Sequence, residues 1–172
     1  MKKFLLLATL IYIVGFTTAI LLKNCFLIVK INSLSIDYTN SSNKSTEDLF
    51  HDILKNNTTV YFASISGFMT LGLFTVISTF YNGFILGYLI VTLNRFSENS
   101  ADFLPRILPH SIEIIGFIFA SALGFYLTNF LCQQYFLKIK PKFEYKTVCL
   151  LFITGYLIIL LSAFIESYVS AT

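Results

Sequence analysis

The sequence predicts an all-α, polytopic transmembrane helical bundle of about five spans, and three observations carry that prediction. Hydrophobic residues make up 56 % of the chain against 12 % charged, a balance foreign to soluble domains. The apolar residues come in long uninterrupted blocks, of the roughly 20 residues a helix needs to cross hydrocarbon. The stretches between those blocks hold most of the lysines, arginines and acidic residues, as loops outside a bilayer do.

The same composition excludes several classes of function. A net charge of +3 is modest and spread through the loops, with no basic patch interleaved with aromatics, so the expected partner is the lipid bilayer and not nucleic acid. Cys25, Cys132 and Cys149 are far apart and lack a C-x-x-C spacing, so they read as small packing residues and not as a disulfide framework or zinc site. No Gly-rich phosphate loop, zinc-protease helix motif or nucleophile elbow occurs.

The elements follow in order. Residues 4–22 carry no charge and succeed a short basic head, Met1 to Lys3. They exceed the apolar region of a secretory signal and lack a clear small-x-small cleavage site, so the first helix is expected to be retained. Residues 32–57 form a polar, acidic outer loop. Its last part, residues 45–55 (STEDLFHDILK), has the N-cap, early acids and apolar spacing of a short amphipathic helix on the membrane surface, with His51 on its solvated rim.

Residues 58–93 contain no charge at all, and one helix of that length would measure roughly 54 Å against a core of about 30 Å. The chain must therefore reverse. Tyr81-Asn82-Gly83 is the expected turn, because Asn and Gly accept turn backbone, which gives a span at 58–80 and a short or broken third helix at 83–94. Gly83 and Gly87 form a GxxxG pair suited to close helix packing, within the chain or in a homo-oligomer. A charged turn then leads to spans at 107–130 and 147–169, separated by the basic loop of Lys138, Lys140, Lys142 and Lys146.

Basic loops collect on the cytoplasmic side. Both the Met1 to Lys3 head and the Lys138 to Lys146 loop therefore belong inside, which five crossings satisfy with the N-terminus inside and the C-terminus outside the bacterial cytoplasmic membrane. Under this topology Asn57, His110, Glu113 and Glu166 all fall near the outer leaflet, while the depth of Asn82 depends on where the hairpin turns. Ionisable residues in hydrocarbon are costly and face a cavity or a partner, so His110, Glu113 and Glu166 are the first candidates for catalysis or binding, with Asn57 and Asn82 beside them. Glu113, Gly116, Ala120 and Gly124 share one helix face, as do Gly155, Ile159, Ser162 and Glu166, which turns both carboxylates into the bundle.

Four segments, ILKNN (53–57), FYNGFILG (80–87), LPHSIEIIG (108–116) and AFIESYV (163–169), resemble the stage II sporulation protein M family of small polytopic membrane proteins, in the family's order. Ser111 stands where the family pattern has glycine. The resemblance implies membership of an envelope complex that remodels peptidoglycan, or, for short chains such as this one, a part in maturation, export or producer immunity of circular bacteriocins. The partners it implies are other membrane subunits of an envelope or peptide-export complex and a hydrophobic basic peptide.

Three readings of the polar cluster stand open. Hydrogen bonds across helices would make it structural, in a scaffold or accessory subunit. A cavity holding a cation, a proton or a basic peptide would make it a binding or conducting site. A divalent metal held by His110, Glu113 and Glu166, or His110 acting as a base oriented by Glu113, would make it a membrane-embedded peptidase or peptide cyclase.

Overall fold

The structure, a computed structural model, describes residues 1–22, 45–96 and 103–171, and every regular element among them is a helix. We label the long helices α1 (Lys2–Leu21), α2 (Thr46–Ser66), α3 (Leu73–Phe96), α4 (Phe103–Leu131) and α5 (Tyr145–Ala171). Four of them, α1, α3, α4 and α5, are long and apolar enough to cross a membrane. The chain is thus an all-α, multi-pass membrane protein. Of the outer loop expected at 32–57, residues 32–44 lie outside the described residues, as does Cys25.

Ser45 caps α2: its side chain accepts a hydrogen bond from the Asp48 backbone N–H at 3.2 Å, and Glu47 and Asp48 sit in the positive first turn. The helix then runs without interruption from the polar segment TEDLFHDILKNN into the apolar one. The amphipathic stretch is therefore the first half of α2 and not a separate element; His51 on it is exposed.

The hairpin reverses at Leu71-Gly72 and not at Tyr81-Asn82-Gly83. Leu71 has φ 53° and Gly72 φ 86°, following a short 3₁₀ turn at Gly67–Thr70. Glycine takes such backbone without the clash that a Cβ brings. A Cβ on Gly67 would also strike the backbone and hydroxyl of Thr75, so the two arms can close only because Gly67 has none. Asn82 and Gly83 lie inside α3, whose 24 residues make the full-length arm, and the short apolar arm precedes the turn. Gly83 serves contact instead: its Cα faces the Tyr12 carbonyl of α1, Gly15 faces the Phe80 carbonyl, and Gly87 packs on Phe16 and Ala19. The GxxxG face of α3 is thus covered by α1, which runs parallel to it.

α5 runs antiparallel to α4, with Gly116 against Gly155 and Ile159. Ala120 is fully buried in a cluster with Tyr61, Phe117 and Ile159, and Gly124 fits against the Ser64 carbonyl and Thr75. Buried hydroxyls tie α2, α3 and α4 together: Ser64 Oγ meets Ser78 Oγ at 2.7 Å, Thr75 Oγ1 donates to the Ser64 carbonyl at 2.9 Å, and Thr79 Oγ1 donates to Ser121 Oγ at 2.7 Å. Cys132 is half-buried and Cys149 exposed, and both are free thiols.

The bundle has a basic and an acidic end. Met1, Lys3 and Phe4 gather with Tyr126, Lys142 and Glu144 around a cavity of about 240 Å³. The opposite end brings together the start of α2, the start of α4 and the end of α5, where the Phe50 and Phe164 rings meet edge to face at 6.4 Å.

Candidate functional site

Near the acidic end, α2, α3, α4 and α5 line an open cavity of about 730 Å³. The polar side chains on it come from every one of these helices: Asp52, Asn56 and Asn57 from α2, Ser78 and Asn82 from α3, His110 and Glu113 from α4, and Glu166 from α5. The rest of the lining is apolar, including Phe74, Ile77, Tyr81 and Ile85 on one stripe of α3 and Phe117 of α4. That stripe recurs at three- and four-residue spacing, which requires α3 to be continuous through Asn82.

The centre of the site is His110. With its ring N–H as donor, Nδ1 lies 3.1 Å from Glu113 Oε1, and the i, i+3 spacing on α4 makes this contact local. On the other side of the ring, Nε2 lies 3.8 Å from Glu166 Oε1, too far for a hydrogen bond. Asn57 is buried, and its Nδ2 donates to Glu113 Oε2 at 2.8 Å, so both oxygens of Glu113 have protein partners. Glu166 is satisfied less completely: its Oε2 is buried without a hydrogen-bond partner among the described residues. The side chains of His110, Glu113 and Glu166 are 30 %, 14 % and 18 % exposed, and all three line the cavity.

The backbone around the cluster is anchored separately. Pro109, one residue before the histidine, keeps its place inside α4, and its carbonyl accepts a 2.7 Å hydrogen bond from Ser162 Oγ of α5. This link sets the register of α4 on α5 one turn from Glu166, the carboxylate that His110 faces. Ser111 Oγ donates to the Ile107 carbonyl at 3.0 Å and so is bound into its own helix, away from the role of a nucleophile.

All five sequence candidates, Asn57, Asn82, His110, Glu113 and Glu166, line the same cavity. Asn82 does so from mid-helix, without a part in the turn. Sequence reasoning left out Asp52, which lies in the stretch expected to form the amphipathic surface helix, and its spacing of four from Asn56 is the signal that places it. A single ligand atom from each of His110, Glu113 and Glu166 falls within 4.8 Å of the others, so side-chain movement of about 1 Å would bring the three onto one ion. The arrangement has the donors for a divalent ion and the acidic character to receive a cationic group.

The family model for stage II sporulation protein M matches residues 4–171. The chain belongs to that family. A curated relative from Methanocaldococcus jannaschii, itself uncharacterised, is 34 % identical over 125 residues, covering 70 % of this chain and 70 % of the relative. No solved structure matches the chain. The four segments through which the sequence resembles stage II sporulation protein M are distant along the chain, yet each contributes to the one cavity: Ile53, Asn56 and Asn57 from the first, Tyr81, Asn82 and Ile85 from the second, His110 and Glu113 from the third and Glu166 from the fourth.

Proposed function

We propose that this stage II sporulation protein M-type chain is an accessory protein of the bacterial cytoplasmic membrane, N-terminus inside and C-terminus outside. In this reading it holds a hydrophobic, basic peptide in its acidic-end cavity in the service of maturation, export or producer immunity of a circular bacteriocin. The observation that carries the reading is the cavity lining: three acidic side chains, Asp52, Glu113 and Glu166, stand among aliphatic and aromatic walls, and His110 is the one basic group there among the described residues. A pocket of that make-up favours an apolar ligand with a positive charge over an anion or a neutral sugar. The orientation is supported by the gathering of Lys3 and Lys142 at the end opposite the acidic cavity.

A second reading, a membrane-embedded peptidase or cyclase acting on the same peptide, is favoured by the convergence of one imidazole and two carboxylates. With Ser111 bound into its helix, the nucleophile in that case is water or a group of the substrate. A third role, as a subunit of a peptidoglycan-remodelling complex, keeps the cluster as a docking point for another membrane subunit.

The test is to express the chain in a bacterium sensitive to a circular bacteriocin and to measure the inhibitory concentration. Protection by the wild type and its loss in Glu113→Gln and Glu166→Gln variants, both recovered monodisperse from the membrane, is the expected outcome. Protection that survives both substitutions removes the cavity from the reading. No protection by the wild type removes the immunity role, and leader removal or ring closure in cells co-expressing a precursor peptide then separates chemistry from docking.

A further inference from the structure

We propose that His110, Glu113 and Glu166 hold one first-row divalent metal ion, of the Zn²⁺ or Mn²⁺ class, at the floor of the cavity. The inference concerns the same cavity as the peptide reading but stands on the ligand geometry alone, whatever the cavity receives.

Its first support is distance. His110 Nε2 and Glu166 Oε1 are 3.8 Å apart. That gap is too long for a hydrogen bond, yet close to the ~3.4 Å between two ligand atoms of a tetrahedral ion with bonds of about 2.1 Å. Glu113 brings a third oxygen, with one ligand atom of each residue inside 4.8 Å. Three protein ligands leave at least one position for water or a substrate carbonyl, the pattern of reactive rather than structural metal sites.

The second support is what holds the ligands. His110 Nδ1 and Glu113 Oε1 lie 3.1 Å apart, so imidazole and carboxylate already stand side by side, and Glu113 would exchange this contact for the ion. Glu113 is steadied in turn by Asn57 Nδ2 at 2.8 Å, and Asn57 is buried. One ligand, Glu113, is thus positioned by a neighbour that is not itself a ligand.

The third support is the unsatisfied oxygen. Glu166 Oε2 is buried and has no hydrogen-bond partner among the described residues, a costly state for a carboxylate inside a membrane bundle. Two carboxylates face one imidazole, and a dication with a neutral histidine balances both. The donor set selects the metal: Ca²⁺ takes six to eight oxygens and Mg²⁺ prefers oxygen and water, whereas imidazole with carboxylate suits Zn²⁺, Mn²⁺ or Fe²⁺.

The experiment uses the full chain, tag-free, in detergent or nanodiscs, stripped with a chelator and titrated with Zn²⁺ and Mn²⁺ against a chromophoric competitor, with Ca²⁺ as control. About one equivalent of Zn²⁺ or Mn²⁺ per chain is expected, with no comparable binding of Ca²⁺. His110→Ala and Glu166→Gln should abolish that equivalent, and Asn57→Ala, which leaves all three ligands in place, should weaken it ~10–100-fold. A Cys25→Ser/Cys132→Ser/Cys149→Ser variant should bind as the wild type does. Because ligand variants can unfold, each is compared by thermal unfolding with and without Zn²⁺: the wild type should gain stability with the ion, and folded His110→Ala and Glu166→Gln should not. Folded wild type without stoichiometric metal overturns the proposal, as does an equivalent that survives His110→Ala and Glu166→Gln or disappears with the cysteines. Absence of metal leaves the peptide-binding reading standing, and failure of the protection assay leaves the metal site standing.

Discussion

Glu113 is the most heavily partnered side chain of the cavity, with His110 on one oxygen and Asn57 on the other. Polar contacts between helices in membranes are worth about 0.6 to 2 kcal/mol each. A double-mutant cycle of Asn57→Ala with Glu113→Gln, measured by reversible unfolding in mixed micelles, should return a coupling in that range. Ser162→Ala removes the donor to the Pro109 carbonyl and should cost about 1 kcal/mol in the same assay. At this scale the sequence was legible wherever a charge interrupted an apolar run, which is how His110, Glu113 and Glu166 stand out. It was silent on Asp52, hidden in a segment whose neighbours are also acidic, and on Thr75, Thr79 and Ser121. Buried hydroxyls leave no mark in hydropathy, since a serine or threonine in a membrane helix can as readily satisfy itself on its own backbone, as Thr154 does with the Leu150 carbonyl.

The elements were legible in kind but not in every boundary. An uncharged run too long for one crossing forces a reversal, and the sequence offers two places for it. Asn82-Gly83 carries the stronger local turn signal, yet Gly83 is needed where α3 touches the Tyr12 carbonyl of α1, and contact prevails over local preference. The hairpin closes at Leu71-Gly72, where left-handed backbone and the Gly67 to Thr75 contact agree. Asn82→Pro separates the two possibilities. A turn would tolerate proline, whereas the interior of α3 should lose about 3 kcal/mol or more, read as a fall in folded yield and thermal midpoint. Gly72→Ala, at φ 86°, should cost about 1–2 kcal/mol, with Gly72→Asn costing less. Gly83→Leu should part α1 from α3 and leave little folded protein, because even a Cβ there meets the α1 backbone.

Over the whole molecule, an all-α multi-pass bundle could be reasoned out because apolar length and charge distribution constrain the architecture together. How α2 is used could not. Its first half is too polar for a crossing and its second half too short, so against five expected spans, four helices, α1, α3, α4 and α5, have the length and apolarity of a full span among the described residues. Single cysteines in a cysteine-free background test the orientation in intact cells. Asp48→Cys at the acidic end should react with an impermeant thiol reagent, and Lys142→Cys at the basic end should react only after the membrane is opened. Labelling of both from outside would overturn the assignment of sides.

The parallel pairing of α1 with α3 also dictates an order of events at the ribosome. α1 leaves the exit tunnel first, but the groove at Gly83 and Gly87 that receives it exists only after two more helices have been made. Until then the first helix must wait beside the translocon with Gly15 uncovered, and the nascent chain can lock shut only when its third long helix arrives.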